Sequence, residues 1–139
     1  MIDIFEHKIV IVIKEGLDKG ITANRAAVLM SGLSAKYPEI IGCDHNTADG
    51  KTINGFTQLP IIILTIPESK SYFELLDHTH QLDCYSSVFL ERAQGVRSYS
   101  EYSASISDDH YMNLDIDSAI FFGTKKSINK ITNKLPPMR

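Results

Sequence analysis

Apolar and polar positions along the chain keep two different rhythms. Ile9 to Ile13 is an unbroken β-branched run between Lys8 and Lys14. It shows none of the alternation of a half-wet strand, so it predicts a strand buried on both faces. Leu59 to Ile66 repeats the pattern as a second buried strand, with Pro60 tolerable only near its start. Tyr85 to Leu90 and Ser118 to Gly123 read as a third and a fourth strand. Between these runs the period lengthens to that of a helix. Ala23, Ala26, Ala27, Met30 and Leu33 mark one inward face, and Tyr72, Leu75, Leu76, Thr79 and Leu82 mark a second, opened by Pro67-Glu68-Ser69. Ile128, Ile131 and Leu135 mark a third. Buried strands alternating with amphipathic helices predict an α/β layer.

The punctuation agrees with these elements. Gly16 and Gly20 permit a tight loop after the first strand, Thr22 is placed to cap the first helix, and Thr124 the last. Ser98-Tyr99-Ser100-Glu101 is a capping box, predicting a short helix from Tyr99 to Ser107. The segment from Ser98 to Asn113 is either a lid or a surface element. Asp49-Gly50 predicts a hairpin turn between Ile40 to Cys43 and Thr52 to Thr57.

Composition narrows the classes. A chain of 139 residues, 43% hydrophobic and 22% charged, suits a single domain, 1–139, with a core of its own. A net charge of −3 and a pI near 5.9 argue against a general nucleic-acid coat. Cys43 and Cys84 are too few for a disulfide framework and read as free thiols. The acidic start MIDIFEHK lacks the features of a signal peptide, and the longest apolar runs are too short to span a bilayer, so cytoplasmic residence with no membrane partner is expected.

Candidate chemistry is sparse. The chain carries no dinucleotide or nucleoside-triphosphate glycine loop, no G-x-S-x-G elbow and no H-E-x-x-H zinc helix. Cys43, Asp44, His45 and Asp49 match no familiar zinc or calcium spacing, and His78 and His80 diverge on one helix, so no metal and no cofactor are expected. What remains is the start of two helices. Asn24 and Arg25 stand in the first turn of the first helix, either as ligand contacts or as solvated residues. Lys125, Lys126 and Lys130 cluster on the last helix, where a solvated face is the alternative. If strands one and four are parallel neighbours, both helix N-termini line one crevice. Lys14, Gly20, Thr22, Asn24, Arg25, Gly123, Thr124 and Lys125 would then surround a phosphate or carboxylate.

Three stretches, KIVIVIKEGLDKGITANRAAVLMSGL, IIGCDHNTADGKTINGFTQLPIIIL and AIFFGTKKSINKITNKLPPMR, resemble the bacterial domain-of-unknown-function family two thousand. That family is similar in turn to the type-II peptidyl-tRNA hydrolases. The resemblance implies a three-layer α/β/α fold around a mixed sheet, a homodimer, and an anionic small molecule or tRNA-like ligand. Residue by residue, Asn24 stands where the hydrolases carry a lysine, Glu91 matches their aspartate, and Ser118 their hydroxyl entering the fourth strand. Two readings follow. One is a repurposed, non-catalytic anion-binding domain. The other is an active hydrolase of a peptidyl-tRNA-like or other ester, in which Glu91 activates water, Ser118 gives a hydrogen bond and Arg25 or Lys14 stabilises charge.

Overall fold

A computed structural model describes residues 2–139. Strand β1 (His7–Lys14) leads into helix α1 (Lys19–Lys36), and a small hairpin of β2 (His45–Asn46) and β3 (Thr52–Ile53) follows. Next come β4 (Ile61–Ile66), α2 (Tyr72–Gln81), β5 (Tyr85–Leu90), α3 (Tyr99–Ser107), β6 (Ile116–Thr124) and α4 (Lys125–Thr132). Four strands form one mixed sheet in the order β4-β1-β6-β5. The two outer contacts of β1 differ in sense: β4 lies parallel to it and β6 antiparallel.

The core explains the three layers. Ile9, Ile11 and Ile13 face α1 and pack with Leu29, Leu33, Ile120 and Phe122. Val10 and Val12 face the other way, packing with Leu75 and Leu76 of α2 and Ile128 and Ile131 of α4. All five β1 side chains are fully buried, as the unbroken β-branched run requires. The fold is thus α/β, with α1 on one side of the mixed sheet and α2 and α4 on the other.

Several expectations change in detail. The run before Ile66 is not a strand buried on both faces, since β4 is an edge strand and Ile61 and Ile62 are exposed. Its outer edge is covered by the chain's own tail. Thr65 donates its backbone N–H to the Pro136 carbonyl at 2.9 Å, and Met138 donates to Ile63 at 3.0 Å. This tail, rich in proline, closes an edge that would otherwise invite pairing. Helix α1 starts earlier than the Thr22 cap implied, with Asp18 at its N-cap, and Thr22 sits inside it. Its inward face is Thr22, Arg25, Leu29 and Leu33, while Ala23 and Ala27 are exposed. Helix α2 opens at Ser71, whose hydroxyl accepts from the Phe73 N–H, four residues after Pro67. The Thr124 and Ser98 caps form as expected, accepting from Ser127 and Glu101 N–H groups.

Deleting residues 136–139 removes those two tail hydrogen bonds and uncovers the β4 edge. At about 0.5–1.5 kcal/mol each, the expected loss is about 1–3 kcal/mol in denaturant unfolding, with concentration-dependent association on sedimentation. Unchanged stability and a single sedimenting species would contradict the edge-covering role.

Candidate functional site

Strands β1, β4 and β5 end at one margin of the sheet, where β6 begins. This margin gathers Lys14 from β1, the first turns of α1, Glu91 and Arg92 after β5, and Asp117 and Ser118 at the start of β6. Topology is what collects them.

At its centre lies a buried ion pair. Arg25 is 2% exposed and Asp117 1%. The Arg25 guanidinium donates from Nε to both Asp117 carboxylate oxygens, at 3.1 and 3.0 Å, and from Nη2 to Oδ2 at 2.8 Å. A third nitrogen, Nη1, donates to Asn24 Oδ1 at 3.4 Å. The guanidinium plane lies over the Phe89 ring, 3.9 Å from its centroid. Ser118 is fully buried, and its hydroxyl donates to Asp117 Oδ1 at 3.0 Å.

The register explains how Asp117 reaches α1. Phe89 pairs with Ser118 but Leu90 pairs with Ile116, so Asp117 is the extra residue of a β-bulge. Strict alternation would send neighbouring side chains to opposite faces, and a bulge re-aims one of them. Tyr72 fixes the same place from the α2 side, donating its hydroxyl to the Asp117 carbonyl at 2.7 Å. Burial, with the Asp117 charge adding, pushes the Tyr72 phenol far above its ordinary range, so it stays a neutral donor.

Lys14 and Glu91 are the solvent-facing partners, with Nζ 3.3 Å from Oε1 and side chains 43% and 52% exposed. Asn24 is exposed on α1 beside Arg25, and Gly20 lies open in the first turn. Thr22 is buried and its hydroxyl has no hydrogen-bond partner among the described residues.

The single crevice is corrected by strand direction. Because β1 and β6 run antiparallel, the start of α1 and the start of α4 lie at opposite ends of the sheet. Gly123, Thr124 and Lys125 are therefore not neighbours of Lys14, Gly20, Thr22, Asn24 and Arg25. Their roles at the far end are visible in the packing. A Cβ on Gly123 would stand 2.7 Å from Cys84 Sγ, Thr124 caps α4, and the Lys125 N–H donates to the Glu6 carbonyl. Asp44 and Asp49, noticed for their spacing, serve the β2–β3 hairpin, accepting from the Gly55 N–H and the Thr47 hydroxyl.

Sequence reasoning missed Asp117 and Tyr72. An aspartate directly before an apolar strand, with an arginine at the α1 position that repeats as 22, 25, 29 and 33, was the available signal. Arg92, next to Glu91 in the chain, is a further residue that the apolar pattern does not single out. Arg92 donates to Asp115 at 2.6 Å, to Asp109 at 2.7 Å and to the Ser105 carbonyl at 3.0 Å, tying the α3 segment to the sheet.

These features define a three-layer α/β domain whose one sheet margin holds a sealed Arg–Asp–Ser cluster beneath an exposed Lys–Glu pair. The chain belongs to the family described as protein of unknown function (DUF2000), whose model matches residues 7–139. It is also similar to the solved structure of Atu0240, a protein of unknown function from Agrobacterium tumefaciens strain C58, with a TM-score of 0.87 at 20% identity. That match covers 97% of this chain and 99% of the other. Nothing among curated proteins matches the chain. Among the described residues no helix is long and apolar enough to cross a membrane.

The Arg92 cluster predicts an acid sensitivity. Its hydrogen bonds hold the Asp109 carboxyl below the usual range. At Asp115 burial pulls upward, but bonds from the Arg92 side chain and N–H outweigh it and lower the carboxyl too. Depressed carboxyls contribute stability that is complete above their ordinary range and is lost as pH falls through the depressed values. Wild type is expected to lose stability over that acidic window, and Arg92→Met to be weaker at neutral pH with a shallower acid loss in pH-dependent unfolding. Parallel curves would show the cluster to be unimportant.

Proposed function

We propose that this domain binds an anionic ligand at the sheet margin, with the exposed Lys14 ammonium as its main contact, and that it does not hydrolyse the ligand. The observation that carries the reading is the contrast in exposure. Arg25 and Ser118 are sealed and already committed to Asp117, whereas Lys14 is half exposed and held by a single carboxylate at 3.3 Å. A buried, bidentate guanidinium has no free charge to offer a transition state. An exposed ion pair is worth little, so Lys14 exchanges Glu91 for a ligand phosphate or carboxylate at small cost. The Asn24 amide and the first-turn N–H groups of α1 add donors at the same margin.

The ligand is an anionic small molecule or a tRNA-like phosphate chain, and the chain acts as a homodimer in this reading, as the resemblance to type-II peptidyl-tRNA hydrolases implies. Active hydrolysis is the second reading. Its support is Glu91, an exposed carboxylate beside a lysine, which is the composition of a general base with an electrostatic partner.

Titration with inorganic phosphate, together with an N-acyl-aminoacyl-tRNA hydrolysis assay, separates the two. Binding is expected to weaken about tenfold in Lys14→Ala and to tighten a few-fold in Glu91→Gln, which removes the competing carboxylate, with no turnover by wild type. Turnover by wild type that Glu91→Gln abolishes would establish the hydrolase instead. Phosphate affinity indifferent to Lys14→Ala would remove the binding site from this margin.

A further inference from the structure

The two edges of the sheet are treated differently. The outer edge of β4 carries the chain's own extended tail, hydrogen-bonded through Ile63 and Thr65. Among the described residues no strand pairs with the outer edge of β5. Glu91 donates its backbone N–H inward, to Asp115 at 2.9 Å. Backbone groups alternate in direction along a strand, so those of Leu90, Val88 and Ser86 point away from β6. Tyr102 lines the groove beside this edge. Among the described residues no loop or helix group hydrogen-bonds the Val88 or Ser86 backbone.

Beside these residues is a groove of about 530 Å³, between α1 and the segment that leads into α3. Its floor is Ser87 and Phe89, Val28 and Gly32 form the α1 wall, and Val96 and Tyr99 the other. Val28 is 45% exposed and Tyr99 82%, large apolar surface left facing an open strand edge. Gly32 keeps the α1 wall low. A Cβ there would meet only the Tyr85 hydroxyl, at 3.6 Å, so the space is open rather than filled by a neighbour.

Charge indicates what enters. Arg97 lines the groove, and Lys36 lies 5.9 Å from the Tyr85 ring at the start of β5. Neither side chain has a carboxylate partner among the described ion pairs. The nearby Glu101 carboxylate accepts the Arg97 backbone N–H and so is partly occupied.

We infer that the β5 edge is a docking site for an extended, acidic peptide segment of a partner protein, which adds as a fifth strand and places an apolar side chain between α1 and Tyr99. Main-chain bonds to Val88 and Ser86 supply register, the groove supplies side-chain selection, and Arg97 and Lys36 select negative charge. The site is separate from the Lys14 margin. The tail on β4 is the same mode of pairing carried out within the chain.

The test uses a fluorescein-labelled Glu-Val-Thr-Val-Thr-Glu peptide in anisotropy titrations, with amide exchange of the full chain followed by NMR. Saturable binding is expected, with the Val88 amide newly protected. Arg97→Glu should weaken binding roughly tenfold or more. Gly32→Leu, whose added side chain has room in the folded helix, should abolish binding while phosphate affinity at Lys14 stays unchanged. Absence of saturable binding, or binding indifferent to both variants, would overturn the proposal. Val88 protection that appears without peptide and grows with protein concentration would also overturn it, by assigning the edge to a second copy.

Discussion

The Arg25–Asp117 pair is the interaction on which this fold's functional margin depends. A charge taken fully out of water costs several kcal/mol unless it is paired and its remaining hydrogen-bonding capacity is met. Here the two charges are paired and every guanidinium nitrogen has a hydrogen-bond partner. The guanidinium spends three of its nitrogens on Asp117 and Asn24 and lays its face on Phe89, while the carboxylate also receives Ser118. The β6 bulge and the Tyr72 hydroxyl are the backbone and side-chain devices that put the carboxylate there. Sheet, α1 and α2 meet at this point.

The pair divides the chemistry of the margin into an inner and an outer tier. Arg25 and Ser118 belong to the inner tier, where Asp117, with Asn24 for the Arg25 Nη1, accepts their hydrogen bonds. Lys14 and Glu91 form the outer one, where water competes for each partner. Phe89 joins the pair to the β5 groove, since its ring supports the guanidinium and also lines that groove. A single packing unit thus stands behind both surfaces, although each presents different groups to solvent.

How far the sequence is legible follows from what each pattern encodes. Ile9 to Ile13 announces its burial because both faces need apolar side chains, and Tyr85 to Leu90 coincides with β5. Thr124 and Ser98 are legible as caps because capping is local. Strand direction is not local. Nothing in SAIFFG says whether it runs with or against β1, and that sign alone separated Gly123, Thr124 and Lys125 from the α1 start. The run into Ile66 reads as interior because the tail that half covers it lies some seventy residues on, a contact of the kind that the Thr65–Pro136 bond makes. Arg25 reads as a first-turn cation for the same reason. Its partner lies 92 residues away and one position before the strand that the apolar pattern marks. A charged residue at an inward helical position, matched by an opposite charge at a strand entry, is the signal that joins them.

The central claim is that Arg25 and Asp117 act as one buried unit whose members are costly alone. Denaturant unfolding of wild type, Arg25→Met, Asp117→Leu and the double variant measures this directly. Each single substitution strands its partner and is expected to cost about 3–5 kcal/mol, whereas the double variant, with no charge left to strand, regains at least about half of the summed loss. Additive losses, or an Arg25→Met cost within about 0.5 kcal/mol as at an ordinary surface position, would contradict the account.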